Sequence, residues 1–207
     1  MAGADSVHEL RARLEEAAGR YELDLPAAIR PLAEYAVRLL AWNQRINLTG
    51  ARDLETLCVE HIADAFPLAP HLAPGARCID VGSGGGLPGL VLAIVRPDLA
   101  VTLLEPIQKR RAFLSGVVRG LALDRVTVLG ERLDSHAAGS GSRAYDVAMS
   151  RAVFALSDWL AAGRALVREG GVVLGLAGSR EEAIPPPAVR VPYDVGAGPR
   201  AIAVVRL

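Results

Sequence analysis

The stretch IDVGSGGGLPGLVLAIV, residues 79–95, runs from an apolar strand through five glycines into an apolar helix. Glycine permits the positive φ of a sharp strand-to-helix turn and lets a ligand touch backbone where a Cβ would clash. Pro88 is well suited to the start of the helix, where free N–H groups can point at that ligand. The stretch therefore predicts a ligand-binding turn after a buried strand.

Strand-like and helical patterns alternate through the rest of this region. Strands are predicted at residues 77–81, 100–104, 125–129, 145–149 and 172–176, and helices at 88–95, 107–121 and 156–167. This alternation is typical of βαβ units with a parallel sheet. Two last runs, 189–193 and 201–205, predict an antiparallel edge hairpin. We expect an α/β fold with a mostly parallel seven-stranded sheet and helices on both faces.

The N-terminal third has helical patterns only. Apolar residues recur at three- and four-residue steps in residues 31–46, with Pro31 expected in the first turn, and again in residues 53–66, which Asp53 should cap. We expect a helical N-terminal subdomain at 1–70 and the ligand-binding domain at 71–207.

Composition limits the location and partners of the chain. The 23 basic and 23 acidic residues give zero formal net charge, so any contact with nucleic acid must be a local patch. Cys58 and Cys78 lack CxxC spacing and are expected to be buried free thiols, which favours a reducing cytoplasm. No apolar run approaches the roughly 18 residues of a membrane span, and no signal peptide is expected.

Asp80 discriminates between two ligands of the glycine turn. Gly84-x-Gly86-x-x-Gly89 formally matches a dinucleotide fingerprint. In the pattern Asp80-x-Gly82-x-Gly84-x-Gly86, however, a carboxylate would repel pyrophosphate and attract the sulfonium and ammonium groups of S-adenosylmethionine. Asp80 serving only as a helix cap or a partner of loop amides is the alternative.

Residues after the next two strands complete the predicted cofactor site. Glu105 would bind the ribose hydroxyls, unless it is an exposed charge at the strand end. Asp134 beside the N–H of Leu133 would complement the adenine edge, although a surface charge explains this common spacing equally well.

Several motifs together resemble one family. Trp42-Asn43-x-x-x-Asn47-Leu48-Thr49, His61-Ile62-x-Asp64, the glycine turn with LPG and RP, LLEPIQKRRAFL and MSRA follow in the order of the bacterial RsmG (GidB) methyltransferases. The resemblance implies a Rossmann-like class I fold, S-adenosylmethionine as cofactor, and methylation of N7 of a guanine in small-subunit (16S) ribosomal RNA. It also implies cofactor contacts from Gly82, Leu87, Leu133, Asp134 and Arg151.

Two positions depart from the family pattern. Ala177-Gly178 stands where the family usually has Lys-Gly, and Ala65 where it commonly has Ser. The missing lysine removes one expected contact to phosphate or substrate, for which Arg180 is a candidate substitute.

The predicted chemistry requires no general base, because guanine N7 carries a lone pair and no proton. Alignment of the reactants can then supply most of the catalysis. We expect Arg151 and Asn47 to orient substrate and cofactor; for Arg151, a salt bridge at the sheet edge is the alternative. His61 and Asp64 lie three residues apart on one helix face, either as a packed pair or as a wall of the site; they are not a zinc site, which would need a third ligand.

The predicted RNA contacts are Arg45, Arg52, Lys109, Arg110 and Arg180, each of which has a solvated helix face or loop as its alternative. Because the chain is neutral, we expect it to act on a ribosomal particle or assembly intermediate rather than on naked RNA. We also expect a monomer.

Other functions remain open at this point. A nicotinamide-dependent oxidoreductase would need a downstream Tyr-x-x-x-Lys or similar proton donor, which the sequence lacks. A methyltransferase of small molecules and a non-catalytic ribosome-assembly protein both remain compatible with the motifs.

Overall fold

A seven-stranded sheet organises the protein, whose computed structural model describes residues 2–177 and 183–207. The strand order is β3-β2-β1-β4-β5-β7-β6, and β7 runs antiparallel to both of its neighbours, β5 and β6. The predicted fold class and edge hairpin are therefore confirmed. The strands are β1 Arg77–Val81, β2 Ala100–Leu104, β3 Val126–Leu129, β4 Tyr145–Arg151, β5 Val167–Ala177, β6 Val189–Tyr193 and β7 Arg200–Arg206.

Strand β5 begins five residues before its predicted start, because Val167 already pairs with Tyr145 ahead of a register shift in β4. The intervening Arg-Glu-Gly-Gly sequence looks like a turn, and it hid this extension from the sequence pattern.

The helices surround the sheet; the start of α2 differs from expectation, and the start of α3 agrees with it. Helix α2 begins at Leu25, so Pro31 lies inside it rather than in the first turn. Asp53 does cap α3, accepting a hydrogen bond from the Thr56 N–H at 2.7 Å. The helices are α1 Ala2–Gly19, α2 Leu25–Asn43, α3 Leu54–Thr56 with its π-helical and 3-10 continuations Leu57–Ile62 and Ala63–His71, α4 Gly89–Val95, α5 Gln108–Gly120, α6 Leu133–Ala138 and α7 Leu156–Ala162 with the 3-10 turn Gly163–Ala165.

Apolar side chains cover both faces of the sheet. Successive residues of a strand point to opposite faces, so Cys78 and Ile79 of β1 belong to different clusters. Helices α1, α2, α4 and α5 pack on the first face, and α7 packs on the second. The N-terminal helices thus share one continuous core with the sheet, which fixes them beside the carboxyl end of β1.

Two further expectations concern cysteines and membranes. Cys58 and Cys78 are both buried and free. Within residues 2–177 and 183–207, no helix combines the length and apolar character needed to cross a membrane.

Candidate functional site

A cavity of about 520 Å³ opens at the carboxyl ends of β1, β4 and β5. Ligand sites of open parallel sheets lie at this edge, and the volume is within the usual range for small-molecule sites of about 300–1,000 Å³. Its walls come from four segments of the chain: Leu48–Gly50, His61 with Asp64, Gly82–Gly85 with Leu87, and Ser150–Phe154. Arg110, Leu156, Trp159, Leu176, Ala177 and Arg200 complete the lining.

The glycine turn exposes its backbone to this cavity. Gly82 and Gly84 have φ of +72° and +54°, conformations that favour glycine. The Gly82 N–H donates to the Leu104 carbonyl at 2.8 Å, which ties the turn to the end of β2. From the other side, the buried Tyr35 hydroxyl donates to the Gly85 carbonyl at 2.8 Å. Helix α2 therefore fixes the turn that the cofactor is expected to cross.

Asp80 lies beneath the turn rather than at its mouth. Its side chain is 1% exposed, and Oδ2 accepts the Gly89 N–H at 2.9 Å, so it caps helix α4. Burial raises the pKa of this carboxyl to about 7. The helix-cap alternative thus describes its local contacts, and direct contact with a cationic cofactor stays a prediction that this placement does not support.

Glu105 is also buried, at 2% exposure, rather than an exposed charge. Its two carboxylate oxygens accept the N–H groups of Gly84 and Ile107, each at 2.9 Å. Each oxygen retains a further lone pair. Glu105 therefore fixes the glycine turn, and its predicted ribose contact would add to this role.

A buried carboxylate holds two arginines at the cavity wall. Asp64 accepts hydrogen bonds from Arg151 Nη1 at 3.4 Å, from Arg200 Nη1 at 3.0 Å and from the Tyr193 hydroxyl. We call these four residues the Asp64 clamp. Arg151 is the last residue of β4, Tyr193 is the last residue of β6 and Arg200 is the first residue of β7. The clamp therefore joins the N-terminal helical segment to three strands of the sheet.

The pKa values of His61 and Tyr193 keep both side chains uncharged at this clamp. Burial, with Arg151 adding to it, lowers the pKa of His61 to about 4. The neutral imidazole can therefore accept a hydrogen bond through Nδ1, which lies 3.3 Å from Arg151 Nη1. Burial and Asp64 together raise the pKa of the Tyr193 hydroxyl, so it remains a donor.

The loop around Asn47 is organised by its neighbour Asn43. Asn43 is 7% exposed; its Oδ1 accepts the N–H groups of Leu48 and Thr49, and its Nδ2 donates to the Thr49 and Ala51 carbonyls. The loop thereby presents Leu48, Thr49 and Gly50 to the cavity. Asn47 itself is exposed and outside the lining, so its predicted orienting role is not supported by this placement.

The predicted site residues divide into two groups. Gly82, Gly84, Leu87, Arg110 and Arg151 line the cavity. The others lie outside the lining, namely Asp80, Gly86, Glu105, Leu133, Asp134, Asn47, Arg45, Arg52 and Lys109. Arg180 lies outside the described residues.

Sequence reasoning missed Tyr193, Arg200 and Phe154. The first two come together because β7 is antiparallel to β5, with Ala177 paired to Ala201, so the hairpin turn returns to the cavity edge. The antiparallel hairpin predicted at residues 189–193 and 201–205 could have indicated that its turn lies at this edge. Phe154 is 41% exposed and stacks on Trp159 with centroids 6.1 Å apart. Among the described residues, no group of three His, Cys, Asp or Glu is arranged to hold a metal.

Comparisons of the sequence with known proteins assign the chain to a family. A family model described as GidB, rRNA small subunit methyltransferase G, matches residues 28–184. The curated Ribosomal RNA small subunit methyltransferase G of Sorangium cellulosum is 43% identical over 159 residues, which are 75% of this chain and 66% of the relative, just under two thirds. The protein of the same name in Anaeromyxobacter dehalogenans is 40% identical over 172 residues, 83% of this chain and 78% of the relative.

Solved structures support the fold alone, because their sequence identities are low. A methyltransferase from Geobacter sulfurreducens has a TM-score of 0.60 at 13% identity, covering 84% of this chain and 90% of that one. Precorrin-6y C5,15-methyltransferase from Geobacter metallireducens has a TM-score of 0.52 at 12% identity, covering 78% and 92%.

Proposed function

Because this chain belongs to the GidB family of small-subunit rRNA methyltransferases, we propose that it transfers the methyl group of S-adenosylmethionine to N7 of one guanine in small-subunit ribosomal RNA. The observation that carries the proposal is the cavity formed by the glycine turn and Arg151. Strands β1 and β4, which position them, lie within residues 28–184 that match the family. The substrate is expected to be a ribosomal particle or assembly intermediate in the cytoplasm, and the enzyme a monomer.

The residues at the cavity fit the proposed cofactor. Gly82 and Gly84 bring backbone to the surface without a Cβ, and Leu87 adds an apolar contact. Arg151 presents a guanidinium that can bind the cofactor carboxylate. When bound, S-adenosylmethionine supplies an electrophilic methyl group on a sulfonium.

Transfer needs alignment rather than proton removal. Gly82, Gly84 and Arg151 would hold the cofactor, which would supply the methyl group; the N7 lone pair would form the new C–N bond, and S-adenosylhomocysteine would leave with the electron pair of the methyl–sulfur bond. Neutral His61 and fixed Arg151 form one wall of the cavity, and Phe154 offers an exposed ring on which the purine can stack. These groups would hold N7 in line with the methyl group.

The test is to map N7-methylguanine in small-subunit rRNA from strains with and without the gene, by chemical cleavage at the modified base and primer extension. We expect one guanine to lose its methyl group in the deletion strain and to regain it with the wild-type gene. Purified enzyme should methylate small subunits from the deletion strain. An unchanged methylation map would refute the proposal.

A further inference from the structure

A second groove lies outside the cavity, between helices α2 and α5. It encloses about 420 Å³ and is lined by Arg38 and Trp42 of α2 and by Phe113, Gly116 and Arg119 of α5, together with neighbouring Val117 and Gly120. Trp42 is 42% exposed, although it is among the largest apolar side chains of the protein. One side of its indole packs on the buried Phe113, with centroids 5.6 Å apart. The remaining indole surface is available to a ligand.

The charges of this groove are cationic. Arg119 has no ion-pair partner among the described residues, and Arg38 pairs with Glu34 beside the groove. Arg38 also crosses the floor, since a Cβ added to Gly120 would lie 2.2 Å from Arg38 Nη1. No acidic side chain is part of the lining. An exposed indole next to guanidinium groups suits a nucleotide, whose base stacks on the ring while its phosphate meets the arginine.

The groove is close to the cavity. Arg110 lines the cavity, and Phe113 and Gly116 follow it on the same helix by one and two turns. At about 1.5 Å of rise per residue, Phe113 and Gly116 lie about 5 and 9 Å from Arg110 along the axis of α5, and Arg119 lies about 14 Å from it. The two shorter separations are comparable to the spacing of adjacent nucleotides in a strand. One RNA segment can therefore reach both openings.

We propose that the groove of Trp42 and Arg119 binds a single-stranded nucleotide that neighbours the methylated guanine. The inference rests on the proposed function, which supplies the RNA. It adds a binding subsite outside the catalytic cavity, and it explains why a large aromatic side chain remains exposed between two packed helices.

The first test blocks the groove without disturbing the fold. Nothing lies within 4 Å of a Cβ added to Gly116, so a side chain there projects into open space. We expect Gly116→Glu to raise the KM for small subunits about tenfold, because loss of one base stack and added charge repulsion are of that order. Gly116→Ala is the control and should leave KM unchanged. kcat and S-adenosylhomocysteine affinity should remain at wild-type values in both variants.

The second test separates stacking from charge. Trp42→Ala should raise KM as Gly116→Glu does, and Trp42→Phe should restore most of the affinity. Arg119→Ala should reduce the slope of log KM against log salt by about 0.7–0.9, whereas Arg206→Ala, exposed at the end of β7 on the far side of the sheet, should not. Wild-type KM and salt slope in Gly116→Glu, Trp42→Ala and Arg119→Ala would overturn the inference.

Equilibrium binding keeps the two proposals distinguishable. At low salt, which strengthens binding to free RNA, a single-stranded small-subunit rRNA fragment should quench the fluorescence of the exposed Trp42 in wild-type protein, and Gly116→Glu should abolish that quenching. If the wild type binds the fragment in this way but transfers no methyl group, the proposed function fails and the groove stands. If small subunits are methylated and the fragment leaves Trp42 fluorescence unchanged, the groove inference fails alone.

Discussion

The Asp64 clamp should contribute strongly to stability, and Asp64→Asn tests this directly. Asp64 is 3% exposed, and the Arg151 and Arg200 side chains are only 18% and 22% exposed. Removing one partner of a buried ion pair costs about 3–5 kcal/mol. Asparagine can still accept one hydrogen bond, and the arginines are partly hydrated. We therefore expect the free energy of unfolding to fall by about 2–3 kcal/mol.

Urea unfolding followed by tryptophan fluorescence is a suitable assay. With a slope of about 2 kcal/mol per M, the midpoint should fall by about 1–1.5 M. Glu16→Gln is the control, because Glu16 pairs with Arg20 at 2.7 Å while the two side chains are 70% and 50% exposed. An exposed pair of this kind contributes about 1 kcal/mol or less. A midpoint for Asp64→Asn that is no lower than that of Glu16→Gln would refute the importance of the clamp.

Three further perturbations follow from the structure. The pKa of His61 is lowered from 6.5 to about 4, so the unfolded chain binds the proton first and stability should fall as the pH drops through that interval. His61→Gln should flatten this part of the profile of stability against pH measured by urea unfolding. An unchanged slope would contradict the lowered pKa of His61. The pKa of Asp80 is raised from 3.8 to about 7, so its contribution has the opposite sign: stability is lost as the pH rises through that range. Asp80→Asn can still accept a hydrogen bond from the Gly89 N–H, so its free energy of unfolding relative to the wild type should increase as the pH rises between those values. Gly82→Ala should weaken S-adenosylhomocysteine binding in calorimetry about tenfold, because φ is +72° and the new Cβ would lie 2.6 Å from Val153; equal affinity in this variant and in the unhindered Gly19→Ala control would disprove it.

Most of the fold was predictable because the apolar patterns of most strands agreed with the global pattern. Strands β1 and β2 begin and end at the predicted residues, since short apolar runs bounded by turns mark buried parallel strands. The early start of β5 was not predictable, because it depends on pairing with β4 across a register shift. The domain boundary expected near residue 70 remains a prediction. The N-terminal helices and the sheet share one apolar core, so packing does not mark a boundary there.

The site was predictable only in part, for a related reason. The sequence indicates which residues follow a strand, and this correctly brought Arg151 and the glycine turn to one edge. Whether a carboxylate faces the cavity or turns inward depends on the tertiary donors around it. Asp80 turned inward to the Gly89 N–H, and Glu105 to the Gly84 N–H. The Asp64 clamp depends on contacts across more than 80 residues of sequence, which no local pattern contains.

The distribution of paired charges explains how a neutral protein can bind RNA. Formal neutrality suggested weak attraction, but many acidic residues pair with arginines away from the groove, as in Arg11–Glu15, Arg20–Glu16 and Arg96–Asp98. By contrast, Arg45, Lys109, Arg110 and Arg119 on and beside α2 and α5 have no ion-pair partner among the described residues. A phosphate responds to charges within a Debye length of about 8–10 Å, not to the sum over the chain. Lys109 and Arg110, at the start of α5, can therefore attract a phosphate beside the cavity although the chain as a whole is neutral.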